Sequence, residues 1–266
     1  LVYRRHPTNL TGAIARKSRS ISTTIYSLSI DIMVFVQNAV SVVLLITVGV
    51  NGDYCPSEND LTIAYTTPSS KNELSDGGWM NKGGGGVATK SSFNLLGGSV
   101  DFDIDVSQVK VGVNANIYTI SPEFKQPSFN KSFYCDGAAT GDKWCAEVDW
   151  IESNGNCGGQ TTLHTVEGPG TNGCTAWGCA NSYHYNGTTS FHMRIEYDLD
   201  GKWTTIRNGE TISADNMNPH PRDADWATLK EFYTTKGAVI YSTIWTGWVP
   251  VSDCGTQPGD LDNSFF

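Results

Sequence analysis

Three carboxylates stand in the order Glu147-Val148-Asp149-Trp150-Ile151-Glu152, inside the stretch from Trp144 to Asn154. Val, Trp and Ile suit a pleated, half-buried surface, so the stretch reads as a strand. On a strand, positions i and i+2 share a face, so Glu147 and Asp149 point the same way. Glu152 is five residues from Glu147 and would face the other side. One β-bulge between them restores the parity, and bulges are over-represented beside active sites. Like charges brought together push at least one carboxyl pKa upward. An ionised carboxylate acting as nucleophile beside a protonated one that donates to a leaving oxygen is the pair that retaining glycoside hydrolysis requires, with the carboxyls about 5–5.5 Å apart. With the bulge, the Cα atoms of Glu147 and Glu152 are about four strand rises apart, ~13 Å, which two long side chains leaning together can narrow. Asp149 lies between them and can tune both. The plainer reading of the same pattern is an edge strand carrying solvated acids.

The elements that must position this strand are β-strands. Gly, Ser, Thr and Asn interrupt the chain often, and helical periods are few. Ser99 to Val106 alternates apolar and polar residues, the mark of a strand with one face buried. Asn114 to Ile120, Thr161 to Thr165 and Val239 to Ile244 read as further strands. Phe191 to Leu199 and Lys202 to Arg207 flank Asp200-Gly201, a hairpin signal. Only Asp225 to Thr234 reads as a short helix. The run Asn81 to Gly86 reads as a flexible loop or turn, and lacks the Lys-Ser/Thr of a phosphate loop. Many short strands in about 210 residues mean a single all-β domain, a sandwich or jelly roll.

The first residue is Leu, and residues 1–32 carry five basic residues with no clear apolar period. From Met33 an apolar run leads to Val50-Asn51-Gly52. We read Met33 as the initiator, residues 33–52 as a signal peptide cut before Asp53, and 53–266 as the mature domain. The competing reading is an uncleaved signal anchor, the one arrangement that would associate the chain with a membrane. The chain stops in Phe265-Phe266, which reads as a final strand cut short. Residues 1–52 hold five basic residues and one acid, so removing their net +4 from a chain of −9 leaves −13. With no Lys/Arg cluster, such a surface excludes nucleic acid and anionic membrane as partners; neutral polysaccharide suits it. The seven cysteines all follow residue 52. In a secreted chain they read as up to three disulfides with one thiol left over, their connectivity open. No C-x-x-C pair or histidine at ligand spacing supports zinc. Asn130-Lys131-Ser132 and Asn186-Gly187-Thr188 are glycosylation sequons.

The stretch Cys145-Ala146-Glu147-Val148-Asp149-Trp150-Ile151-Glu152 resembles the catalytic strand of the clan that joins glycoside hydrolase families 7 and 16. Leu95 to Ser107, followed by Gly112 to Tyr118, is similar to the family 7 segment leading into its substrate cleft. The similarity runs from about Phe93 to Pro250. It implies a concanavalin-like β-jelly-roll sandwich with a carbohydrate cleft on the concave sheet. It also implies Glu147 as nucleophile, Asp149 as its electrostatic assistant and Glu152 as general acid/base. His164 resembles the histidine that follows the acid/base glutamate on the next strand. Asn114, Tyr118, Trp245 and Trp248 resemble cleft residues that contact sugars. Trp150 alternates away from Asp149 and belongs to the core.

The domain is about half the length expected of a family 7 cellulase, so long tunnel-forming loops are missing and an open cleft is expected. Size leans to family 16 and local wording to family 7, which leaves β-1,3 and β-1,4 linkages both open. The expectation is a monomeric, secreted, retaining endo-β-glucanase that needs no cofactor, with no metal site predicted. A non-catalytic glucan-binding lectin or wall protein on the same fold, and a transglycosylase, are the alternatives.

Overall fold

A computed structural model describes residues 54–266 apart from 76–77, 124–132, 141, 171, 213–215 and 257–258, together with the backbone of strands Val2–Arg5, Leu28–Val34 and Leu44–Val50. Two antiparallel sheets face each other. The larger has seven strands, in the spatial order Cys179–His184, Gly158–His164, Glu147–Asn154, Asn114–Ile120, Val239–Trp245, Gly85–Thr89 and Leu61–Thr66. The smaller has five: Val2–Arg5, Gly98–Asp105, Ser190–Tyr197, Trp203–Arg207 and Glu210–Thr211. The fold is thus an all-β sandwich of the jelly-roll class.

Alternation explains the layers. On Gly98–Asp105, Val100, Phe102 and Ile104 point into the core, while Asp103 and Asp105 are exposed. The large sheet supplies Val148, Trp150, Ile151, Leu163, Ile117 and Ile240 to the same core. The helix Asp223–Thr235 buries Trp226, Leu229 and Tyr233, spaced three and four apart on one face. Trp226 meets Trp203 edge-on, and Tyr233 meets Tyr197 in the same manner. The Tyr233 hydroxyl also reaches Thr119 Oγ1 at 2.7 Å, which ties the helix to the large sheet.

The expected strands and the helix all form, with ends shifted by a few residues. The glycine run is a correction. Gly83 to Gly86 is buried rather than loose, and Gly85–Thr89 is a strand between Leu61–Thr66 and Val239–Trp245. Side-chain-free backbone packs there between two sheet neighbours, which a reading from composition takes for a loop. Three disulfides form, Cys135–Cys145, Cys157–Cys254 and Cys174–Cys179, and Cys55 is left over as an exposed thiol. Of the leader expected over 33–52, residues 35–43 and 51–52 lie outside the described residues; the remainder belongs to a backbone ladder between Leu28–Val34 and Leu44–Val50. The sequon at 130–132 also lies outside them, whereas Asn186 is exposed. Among the described residues, no helix is long and apolar enough to cross a membrane. At the other end, Phe266 exchanges backbone hydrogen bonds with Asn81 at 2.7 and 2.8 Å.

Candidate active site

The acidic strand Glu147–Asn154 carries the bulge that its carboxylate spacing requires. Asp149 pairs with Tyr118 and Ile151 with Ile117, so Trp150 is an extra residue against the Asn114–Ile120 strand. The other neighbour agrees: Asp149 faces Thr162 and Glu152 faces Gln160. Trp150 and Ile151 are therefore both turned into the core. Trp150 donates from Nε1 to the Tyr197 hydroxyl at 2.6 Å and stacks on Phe102. With parity restored, Glu147, Asp149 and Glu152 all line one cleft of about 630 Å³ on the outer face of the large sheet.

Each acid has its own environment. The backbone N–H of Gly137 donates to Glu147 Oε2 at 2.7 Å. A Cβ on Gly137 would lie 2.2 Å from His164 Cβ, so only glycine lets this N–H come so close. The loop that supplies it runs between Cys135 and Cys145 and is closed by their disulfide. His164 sits opposite Glu147 on the next strand. Its Nδ1 lies 2.8 Å from the Thr175 carbonyl. A carbonyl only accepts, so Nδ1 carries the hydrogen. Nε2 then faces Asp149 Oδ2 at 3.3 Å. Glu152 Oε2 accepts from both Gln160 Nε2 and Thr162 Oγ1 at 2.9 Å.

Burial pushes the Glu147 carboxyl well above the usual carboxylate range, and the nearby Asp149 pushes the same way, while His164 and the Gly137 N–H pull it back. Burial likewise raises Asp149, reinforced by Glu152 and Asp136, with its hydrogen bond to Glu147 opposing. Two raised carboxyls in contact favour holding a single proton between them. The Gly137 N–H favours the charged form on Glu147, and the hydrogen bond from Glu147 favours it on Asp149.

The cleft floor and walls come from neighbouring strands. Tyr118 lies on the floor, stacked on Tyr241, with its hydroxyl 3.1 Å from that of Tyr134. Asn116 Oδ1 accepts from the Thr243 backbone N–H at 3.2 Å and from its hydroxyl, which turns the Asn116 amide N–H groups away from Thr243. Trp245 and Trp248 line the cleft, Trp248 being exposed. Asn114 is different: it is fully buried and does not line the cleft, where Asn116, two residues on, does. Among the lining residues that the sequence reading did not single out, three stand out. Tyr65 lies on the far strand, Asp136 is a fourth carboxylate and Trp177 is an exposed indole. Asp136 and Trp177 both sit inside disulfide-closed loops, whose pairings the sequence left open. Glu147, Asp149 and His164 lie close enough to share a cation, with two carboxylates and one imidazole as the donor set.

No protein-family model matches the chain. Among solved structures, it is similar to the endocellulase EGI of Humicola insolens, at 18% identity over 62% of this chain and 61% of that one, with a TM-score of 0.42. It is also similar to a GH7 family cellobiohydrolase from Daphnia pulex, at 15% identity over 66% and 67% of the two chains, TM-score 0.47. Porphyranase B from Zobellia galactanivorans is a third, at 10% identity over 79% and 83%, TM-score 0.43. The chain thus spans about three-fifths of the Humicola protein's length. At these identities and scores, what those proteins act on is no guide to what this chain acts on; the geometry of its own cleft is.

Proposed function

We propose that this chain is a secreted, retaining endo-β-glucanase that cleaves β-1,3- or β-1,4-glucosidic bonds by double displacement. The observation that carries the reading is the bulge at Trp150, which turns Glu147, Asp149 and Glu152 onto one face inside a cleft. A strand with no chemical task has no reason to bury three acids together. In the first step Glu147 attacks the anomeric carbon while Glu152 protonates the glycosidic oxygen. In the second, Glu152 takes a proton from water, which releases the sugar from Glu147. Both donors to Glu152 hold Oε2, so Oε1 is the oxygen that carries the transferred proton. Asp149 keeps Glu147 ionised by holding the shared proton, and His164, oriented through Thr175, holds Asp149.

The cleft also supports a neutral substrate. Asp136, Glu147, Asp149 and Glu152 line it, with no Lys or Arg among its described lining residues. A polyanionic glycan would be repelled there. Aromatic side chains offer faces to the C–H faces of pyranose rings. Three disulfides and the apolar run at 33–52 support export. The test is reducing-sugar release from laminarin, lichenan and carboxymethyl-cellulose by the residue 53–266 protein and its Glu147→Gln and Glu152→Gln variants. Release by the parent and loss in both variants is expected. A folded parent that binds these glucans and releases nothing sinks the hydrolase reading and leaves a lectin.

A further inference from the structure

Trp177 has no part in the two-step chemistry, yet it is the most exposed of the large apolar side chains described, at 76%. An indole left in water is unfavourable unless something covers it. This one is held in place. Its loop joins Gly158–His164 to Cys179–His184 and is closed by the Cys174–Cys179 disulfide. The Gly178 N–H donates to the Thr175 carbonyl at 2.8 Å, the Ala176 N–H to Gly168 at 3.1 Å, and Thr175 Oγ1 to Gly170 at 2.8 Å. Gly178 has φ +68°, and a Cβ there would stand 2.2 Å from Thr162 Cγ2, so the turn lies hard against the cleft wall. The Thr175 carbonyl in the same loop orients His164. Asp225 fastens the loop from behind by accepting from the Cys174 N–H at 3.3 Å. The indole is therefore presented at the cleft edge from a rigid mount.

Its position relative to the acids is set by the sheet. Trp177 lies on one side of the acidic strand, next to His164, which faces Glu147. Trp245 lies two strands away on the other side, opposite Asn114, which in turn faces Asn154 at the far end of the acidic strand. Trp248 and Tyr65 line the cleft on that same side. The acids thus stand between two aromatic flanks.

We propose that Trp177 is a sugar-stacking platform, so that a neutral β-glucan chain lies across the acids with glucose units bound on both flanks. This rests on the glucanase reading and adds a specificity residue to it. A cleft gripping both flanks cuts inside a chain and discriminates by chain length.

The experiment titrates the Glu147→Gln protein, with and without Trp177→Ala, with cello- and laminari-oligosaccharides from disaccharide to hexasaccharide. In parallel, kcat and KM of the parent and its Trp177→Ala variant are measured on the polymer that the parent cleaves. Trp177→Ala is expected to weaken hexasaccharide binding about tenfold, the effect of losing one aromatic face. Disaccharide affinity should not change, KM on polymer should rise with kcat held, and Trp177→Tyr should restore most of the loss. An exposed side chain leaves melting unmoved, so lost folding cannot imitate this profile. A parent that cleaves glucan while Trp177→Ala binds every oligosaccharide and turns over polymer as the parent does overturns the platform and leaves the glucanase. A parent that cleaves nothing, with a length-dependent affinity lost in Trp177→Ala, keeps the platform and overturns the catalysis. Neither binding nor cleavage of any glucan overturns both.

Discussion

Glu147 and Asp149 both have carboxyls raised by burial and by their neighbours. A carboxyl whose folded pKa exceeds its unfolded value, about 4, binds more protons folded than unfolded between those two values. The stability these groups contribute is fully present below about pH 4 and is lost as pH rises through their raised folded values. The parent is therefore expected to melt at a lower temperature at pH 7 than at pH 5. Glu147→Gln removes one buried charge, and should flatten that slope and raise the pH 7 midpoint, with a gain of about 1 kcal/mol corresponding to about 2–4 °C. Calorimetry of both proteins across pH 4–8 checks this; a parent midpoint that climbs toward neutrality would contradict it. Asp225 works in the opposite sense. Burial alone would raise its carboxyl, but Arg222 and Thr165 outweigh burial and lower it. Its contribution is present above about pH 4 and is lost only as pH falls below that.

The bulge belongs to the scale of the element. Trp150 fills the core from the extra position, so Trp150→Ala should cost about 3–5 kcal/mol, read from denaturant unfolding. Deleting residue 150 outright should move Glu152 to the core face and abolish turnover. Two short disulfide loops reach over the acids, one carrying Gly137 and the other Thr175. Replacing Cys135 and Cys145 by Ser should lower kcat about 10–100-fold through a misplaced Gly137 N–H, more than it disturbs the fold. The acidic strand and its need for a bulge were legible in the sequence, because a two-residue period leaves Glu152 with the wrong parity. The alternation of Ser99 to Val106 and the Asp200-Gly201 turn were equally plain. What resisted reading was set by contacts distant in sequence. The glycine run became a strand because sheet neighbours on both sides claim its backbone. Asp136 and Trp177 lie in loops without period, which disulfides and hydrogen bonds together hold at the cleft. Asn114 has the strand parity of a cleft residue, and is nonetheless covered.

At the scale of the whole molecule, Cys157–Cys254 ties the turn after the acidic strand to the chain's last stretch, across a separation of 97 residues. Asn154 reinforces the tie, donating to the carbonyls of Pro250, Val251 and Gly255. Closing so long a loop restricts the unfolded chain, and replacing both cysteines by Ser should cost about 2–5 kcal/mol. A melting temperature unchanged by that replacement would show that the tie contributes nothing. The sandwich buries one face of each sheet against the other and leaves the outer face of the large sheet to the cleft. Four carboxylates there give the cleft its sign, and sulfated or uronic glycans should bind far more weakly than neutral glucan.

The measurement closest to the central claim is the anomeric form of the first sugar released, followed by proton NMR on whichever glucan the parent cleaves. Attack by Glu147 followed by water inverts the anomeric centre twice, so the β-anomer should appear first and mutarotate later. The α-anomer appearing first, or cleavage that survives Glu147→Gln, would contradict the double displacement assigned to Glu147 and Glu152.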